Sequence, residues 1–494
     1  MSIEIRAGAP GTGLAPGREP GPRVALCVDL DGTLLRGDLL HEGLARLLTA
    51  NPFRAPQVLG WALRGRRALK ERVAAAADLD VAVLPYRDEV IELARLARAA
   101  GRRVLLVTAA AAPIATRVAE HLELFDEVVA SDDAHGNLAG TRKARYLVDR
   151  FGRGGFEYIG DSGRDLPIWA DAASGVAVGA SPAVRRRLDA AGTPMRHVAD
   201  RPPGVRVWAR QLRLHQATKN LLVLLPLLLA HEYAVWDSVW RALVMVAAFS
   251  LLSSGTYVLN DLHDLDADRR HPSKRLRPLA SGGIPVSVAA VTSAALVLGG
   301  LGAALVLGPP ALLVLLAYLV LTLGYSLVLR RLIVADVIAL AALYTLRILA
   351  GAVAIGVAVS IWVALTSVFL FFSLALMKRV AEFANHAEAS VDGRGYQRRD
   401  RTAVLAAGLS SGMVAVLVVA MYIDSEEARA AYTTPVILWM LIPLVLFWLT
   451  RMWLLTDRGQ MHDDPVAYAI SDRVSQGVAL TAVAIVVAAS LVGR

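Results

Sequence analysis

The apolar positions along the chain fall into two patterns. In the first part they form short, mostly apolar runs, each released into a turn or polar residues: Arg23–Val28, Val104–Val107 ending in Thr108, and Phe156–Ile159 ending in Gly160. Strands covered by helices on both faces take this form, because neither face needs polar side chains. From about residue 205 the runs lengthen, lying near 218–232, 236–259, 284–307, 310–329, 332–356, 360–378, 402–422, 433–454 and 476–493. About 20 helical residues cover the hydrocarbon core of a bilayer. The pattern therefore predicts a parallel-sheet α/β domain over 23–204, followed over 205–494 by an all-α polytopic membrane domain of nine transmembrane helices. Asp200–Gly204, with its paired prolines, is the best boundary. Residues 1–22, rich in Gly and Pro and lacking the apolar core of a signal peptide, are expected to be a disordered tail. Between 37 and 84 lies room for a small helical cap. Its stretch Val58–Lys70 sets apolar bulk beside basic residues, which suits either a helix packed on the core or one resting on lipid.

Composition sharpens this division. The chain of 494 residues is 55% hydrophobic and carries a formal charge of +9, with a mean hydropathy of +0.49. Arg and Lys gather in alternate connections: Arg206–Lys219, Arg269–Arg277, Arg330-Arg331, Lys378–Arg401 and Arg451–Arg473. By the positive-inside rule these are cytoplasmic, on the side of the α/β domain. The excess charge suits an anionic membrane leaflet or phosphorylated substrates, and nothing suggests nucleic acid. The single cysteine, Cys27, excludes an internal disulfide and reads as a buried, inert thiol.

The chemistry of the front half begins where its first strand ends. Asp29-Leu30-Asp31-Gly32-Thr33-Leu34 places two carboxylates two residues apart at the end of the sheet where α/β folds build their sites. One can attack phosphorus while the other protonates the leaving oxygen. Thr108, Lys143 and Gly160–Asp165 follow in order. Together these residues resemble the four motifs of the haloacid dehalogenase (HAD) superfamily, over about residues 23–200. The resemblance implies a Rossmann-like phosphatase fold in which Asp29 is the nucleophile and Asp31 the general acid/base. It implies that Thr108 and Lys143 bind the phosphoryl oxygens. It also implies a Mg²⁺ held by Asp29, the Asp31 carbonyl and Asp161, with Asp165 nearby. The alanines 109–112 depart from relatives that often carry another polar residue there.

In the second half, Asn260–Asp268 follows the apolar run 236–259 and precedes the basic stretch Arg269–Arg277. On one helix Asp261, Asp264 and Asp268, at i, i+3 and i+7, share a face. Their repulsion calls for a hard divalent cation, most simply Mg²⁺ carrying a pyrophosphate, with the basic run as a second grip on phosphate oxygens. Asp336 and Arg347, inside one expected span, lie about three turns apart and read as a functional pair or a structural ion pair. Asn260–Asp268 with Arg277–Gly282 resembles the UbiA prenyltransferase superfamily. Arg213–Asn220 resembles the entry motif of one branch, with Leu214 in place of Pro and Ala217 in place of Trp. The resemblance covers about residues 208–494.

The aromatic prenyltransferases of that superfamily carry a second Asp-rich motif. Here Lys378-Arg379-Val380-Ala381-Glu382, then Arg394–Asp400, stand at the matching place. Cations there argue for gripping a phosphate directly. The pattern is most similar to the branch that moves 5-phosphoribosyl from phosphoribosyl pyrophosphate to a polyprenyl (decaprenyl) phosphate in bacterial arabinan and cell-wall synthesis. This implies Mg²⁺ on Asp261, Asp264 and Asp268, with Asp261 and Asp264 catalytic. Lys274, Arg275 and Arg277 are then candidates for the donor phosphates, and Asn260 is a substrate-binding candidate. Lys378 and Arg379 are candidates for the 5-phosphate or the lipid phosphate, although they also suit a cytoplasmic anchor, and Lys219 is a further substrate-binding candidate. Glu382 is a candidate for a ribose hydroxyl or an ordering pair, and Tyr396 is a further candidate. Asp463, Asp464 and Asp472 receive no role. The front half would remove the 5-phosphate of the lipid-linked product, or act on an unrelated phosphate ester. The alternative for the second half is transfer from a prenyl diphosphate to an aromatic or isoprenoid acceptor. A scaffold with two silent sites would show broken motifs. Expected are a multi-pass protein of the bacterial inner membrane with both sites cytoplasmic, and a homo-oligomer remains open.

Overall fold

In a computed structural model of the chain, the described residues are 24–131, 136–199, 203–385, 395–461 and 464–491. The expected tail and Asp463 lie outside them. The chain divides into two compact units, one formed by residues up to Gln211 with Asp261–Val291, the other by Leu212–Asn260 with Thr292–Arg494. The segment 261–291 thus packs with the α/β part.

The first unit is built on six parallel strands: β1 (Ala25–Val28), β2 (Val104–Ala111), β3 (Glu127–Ser131), β4 (Phe156–Gly160), β5 (Ser174–Val178) and β6 (Met195–Val198), in the order β3-β2-β1-β4-β5-β6. Leu26 and Val28 of β1 enter one apolar core, and Ala25 and Cys27 enter the core on the opposite face. That double burial is why the run carries no polar alternation. Cys27 is fully buried, which pushes its thiol up to about 12 and leaves it inert. The strand order reverses between β1 and β4, so the crevice beyond their C-terminal ends is the natural site. β2 continues past Thr108 to Ala111 through a register shift against β3 after Val107, and the run Val104–Val107 does not foretell this.

The cap comprises α1 (Leu39–Ala50), α2 (Ala55–Leu63) and α3 (Arg66–Ala77). Asp38 caps α1 by accepting the Leu40 N–H at 2.8 Å. Gly43 lets α1 approach Val73 and Ala77 of α3. Within Val58–Lys70, Trp61 is buried whereas Leu59 and Leu63 are exposed. The segment 261–291 packs on this cap. Arg269 donates to both oxygens of Glu42 at 3.0 and 2.8 Å, with both side chains buried, and its Nε reaches the Ala280 carbonyl at 3.2 Å. Arg270 pairs with Asp80 at 2.6 Å, Arg46 pairs with Asp266, and His263 Nδ1 lies 3.2 Å from the Thr49 carbonyl. Gly282, at φ +74, brings its backbone against Arg36 and Pro85, where a Cβ would meet carbon at 2.8 Å.

Among the described residues, eight helices are long and apolar enough to cross a membrane: Trp236–His263, Val286–Leu307, Pro309–Leu327, Ala335–Ile355, Ile361–Phe383, Arg398–Asp424, Pro435–Asp457 and Arg473–Leu491. The expected count of nine is therefore not reached. The stretch near 218–232 is the shorter apolar helix Leu214–Leu229. It is 3-10 up to Leu224, and it ends before His231, which turns the chain at φ +56.

In the second unit Asp336 and Arg347 do not pair with each other. Eleven residues of helix separate their backbones by about 16 Å. Asp336 accepts a hydrogen bond from Tyr396 Oη at 2.8 Å and forms an ion pair with Arg379, whose Nε lies 2.9 Å away. Arg347 donates to Asn220 Oδ1 at 3.1 Å and Tyr318 Oη at 3.0 Å.

Candidate active sites

The first site starts at the turn leaving β1. Gly32 has φ +77, and a Cβ there would stand 2.3 Å from Asp161 Oδ2. The turn therefore needs glycine both for its backbone and for the approach of that carboxylate. Asp29 accepts a hydrogen bond from Lys143 Nζ at 2.8 Å. Lys143 is buried and also donates to Tyr158 Oη at 3.0 Å, which donates to Asp165 Oδ1 at 3.0 Å. Asp165 Oδ2 accepts from the backbone N–H groups of Asp161 and Ser162 at 3.2 and 3.1 Å. The carboxylate is thus fixed by four protein donors, counting the Ser162 hydroxyl at 3.2 Å.

Asp29, Asp161 and Asp165 each present an oxygen within 4.8 Å of the others, the one such acidic trio among the described residues. Crowding of this kind shifts protonation. Burial, then its neighbours Asp29 and Asp165, push Asp161 up to about 7, and burial likewise raises Asp29 despite Lys143. A hard dication would relieve that repulsion, and oxygen donors are the set Mg²⁺ takes. Asp31 points toward the cap, where the Leu39 N–H donates to it at 2.9 Å. Burial and then Asp38 raise it to about 7. Thr108 is buried, and its Oγ1 accepts from the Ala110 N–H at 3.0 Å. These residues line a cavity of about 680 Å³.

The acidic segment is not one continuous helix. Trp236–His263 ends, Asp264 leaves helical geometry at φ −90 and ψ 10, and Leu265–Arg270 starts a second helix. Asp261 and Asp268 are nonetheless brought together, for Arg277 Nη1 lies 3.3 Å from the first and 2.5 Å from the second. Both carboxylates are buried, so the guanidinium neutralises charge that would otherwise be costly. Gln211 Nε2 donates to the other oxygen of Asp261 at 2.9 Å. Asp264 is half-buried, and Lys274 and Arg275 are exposed on the turn that follows.

In the second unit, one carboxylate gathers two lysines. Lys219 Nζ is 2.7 Å and Lys378 Nζ 3.6 Å from Asp464 Oδ2, and Tyr344 Oη donates to the same oxygen at 3.4 Å. Asp464 also caps the helix Pro465–Ser471. Burial opposes its ionisation, but Lys378 and Lys219 prevail and hold it down to about 2. Arg379 is buried and paired with Asp336 and Glu382. Tyr396 donates to Asp336 and accepts the Val334 N–H at 2.9 Å. Arg379, Glu382 and Tyr396 thus form one network around Asp336, separate in its contacts from the Lys378 pair. Asn260, in the second unit, is half-buried.

Tyr158, Gln211, Glu42 and Asp464 were not among the sequence candidates for these sites. The first three give no local sign, since each acts on a residue remote in the chain. Asp464 carried one, its position ahead of Pro465 as a helix cap.

Two family models match this chain, one over each part of the sequence. The model of the UbiA prenyltransferase family matches residues 221–471, and that of the haloacid dehalogenase-like hydrolases matches residues 26–169. The uncharacterized protein y4nM of Sinorhizobium fredii is 38% identical, over 92% of this chain and 88% of its own length. The nodulation protein NoeC of Azorhizobium caulinodans is 32% identical over 53% of this chain and 85% of its own. The decaprenyl-phosphate phosphoribosyltransferase of Mycobacterium tuberculosis is 28% identical over 58% of this chain and 94% of its own.

Proposed function

This chain belongs to the UbiA prenyltransferase family, with a HAD-like hydrolase domain ahead of it, and from that premise we propose that it is a two-step enzyme of the inner membrane. It moves 5-phosphoribosyl from phosphoribosyl pyrophosphate to a polyprenyl phosphate, then removes the 5-phosphate to give polyprenylphosphoryl ribose, with both sites cytoplasmic. The observation that carries the choice of donor is the pair Lys219 and Lys378 on Asp464. Two ammonium groups held by one carboxylate leave an excess of positive charge, which suits a phosphate monoester better than a second metal-bound diphosphate. The relative named as a decaprenyl-phosphate phosphoribosyltransferase supports the same reading.

In the transfer step the bond from ribose C1 to pyrophosphate breaks and a lipid phosphate oxygen bonds to C1. Asp261, Asp264 and Asp268 would hold Mg²⁺ there, and Asp29, Asp161 and the Asp31 carbonyl would hold it in the hydrolytic site. In both places the ion supplies charge stabilisation for phosphoryl oxygens. Gln211 and Arg277 fix the direction of Asp261. Lys274, Arg275 and Arg277 are proposed to grip the donor phosphates, and Asn260 to bind substrate. Lys219 and Lys378 are proposed to grip a phosphate, and Arg379, Glu382 and Tyr396 to order the site through Asp336. In the hydrolytic step Asp29 attacks phosphorus, and Asp31 gives its proton to the departing ribose oxygen. Water then cleaves the aspartyl-phosphate, Asp31 takes the proton, and phosphate leaves. Lys143 and Thr108 hold the phosphoryl oxygens.

The test is incubation of the purified protein in detergent with labelled phosphoribosyl pyrophosphate and polyprenyl phosphate. Label in the lipid fraction is expected, and Asp261→Ala should abolish it. Transfer from a prenyl diphosphate with no ribosyl transfer would overturn the proposal.

A further inference from the structure

The cavity of Asp29 is much larger than the phosphoryl group it would cleave, at about 680 Å³. Its charge is also in excess of that task. Six Arg and Lys side chains line it against five carboxylates, and a bound dication would add to the positive side. Lys143 is held by Asp29 at 2.8 Å. Lys70 is engaged with the Ala109 carbonyl at 3.1 Å. Arg66, at the start of α3, and Arg164, in the turn after β4, are exposed at the cavity and have no ion-pair or hydrogen-bond partner among the described residues. Arg66 stands on the cap and Arg164 on the sheet domain, so a ligand reaching both bridges the two parts of the fold.

One wall of the cavity comes from the segment that follows the acidic and basic stretches, at Pro285, Val286 and Ser287. That wall belongs to the same packed segment as the buried pair between Arg269 and Glu42 and as Gly282, whose backbone lies against Arg36 and Pro85. The cavity therefore has one side fixed by packed backbone.

We propose that this cavity takes a phosphate monoester whose alcohol part carries a second phosphate, which Arg66 and Arg164 bind while Asp29 attacks the first. This rests on the reading of Asp29 as a phosphatase nucleophile and deepens it. A lipid-linked ribose 5-phosphate has that form, with a phosphodiester at C1, and so does a free sugar bisphosphate. A bound second phosphate orients the ester for attack and adds binding energy from a part of the substrate that does not react.

The test uses the full chain in detergent with Mg²⁺, measuring phosphate release from ribose 5-phosphate and from ribose 1,5-bisphosphate at fixed ionic strength. The expected kcat/KM is at least tenfold higher for the bisphosphate. In Arg66→Ala with Arg164→Ala that ratio should fall toward unity, and Arg66→Lys with Arg164→Lys should restore part of it. Equal kcat/KM for the two substrates in the unmodified protein overturns the inference alone, as does a ratio that the double variant leaves intact. Hydrolysis of neither ester overturns the phosphatase reading and the inference with it. Adding the lipid-linked substrate separates the two sources: if only the free bisphosphate is preferred over ribose 5-phosphate, the site serves soluble sugars.

Discussion

Asp31 carries the sharpest prediction at the scale of single residues. Burial and the neighbouring Asp38 raise its carboxyl to about 7, so near neutral pH a large share of it holds the proton that the leaving oxygen needs. As pH rises above about 7 that form is lost, and kcat for ester hydrolysis should fall about tenfold per unit. The pH–rate profile of Asp31→Asn should lack this limb and lie about 10²–10⁴-fold lower. A limb that persists in the variant would assign it to another group. Gly32→Ala should also be damaging, because it places a methyl group on Asp161 and a side chain at φ +77. Loss of Mg²⁺ binding, read by titration calorimetry, is the expected outcome. Asp464 behaves in the opposite sense to Asp31. Its carboxyl is held down to about 2, so it contributes stability above the ordinary carboxylate pKa near 4, and that contribution is lost as pH falls toward 2.

At the scale of elements, the instructive contact is between α1 and the helix Leu265–Arg270. Glu42 and Arg269 are buried and bidentate, and removing one partner strands the other charge. Glu42→Ala should cost about 3–5 kcal/mol, seen as a lower midpoint of thermal unfolding in detergent. Glu42→Leu combined with Arg269→Met should recover most of that loss, since apolar pairs of similar volume often replace buried ion pairs neutrally. Sequence reasoning located both elements but not their meeting. A cap was legible from the length between the first two strands, and the acidic segment from its motif. That Glu42 would face Arg269, more than two hundred residues away, leaves no trace in local periodicity. The same limit explains the break at Asp264. Spacing alone allowed one helix, whereas Asp261 and Asp268 are drawn onto a shared Arg277 from two.

At the scale of the whole molecule, the proposal is that two consecutive steps share one chain. Asp261→Ala should lose ribosyl transfer yet still hydrolyse ribose 5-phosphate. Asp29→Asn should still transfer, and phosphorylated lipid should accumulate. Mixing the two variants should give final product more slowly than the unmodified chain at equal site concentrations, because tethering raises the effective concentration of the second site. Equal rates would mean that the intermediate passes freely between molecules.

Composition and periodicity sufficed for whatever depends on local rules. Short apolar runs mark strands buried on both faces, long ones mark membrane helices, and the ordered motifs mark the Asp29 site, because each needs only neighbours along the chain. Tertiary structure alone decided what depends on distant partners. It set Tyr158 between Lys143 and Asp165, gave Asp336 to Arg379 rather than Arg347, and gathered Lys219 and Lys378 on Asp464. A buried charge must find its counter-charge wherever the packed fold brings one, and no pattern read along the backbone names that partner.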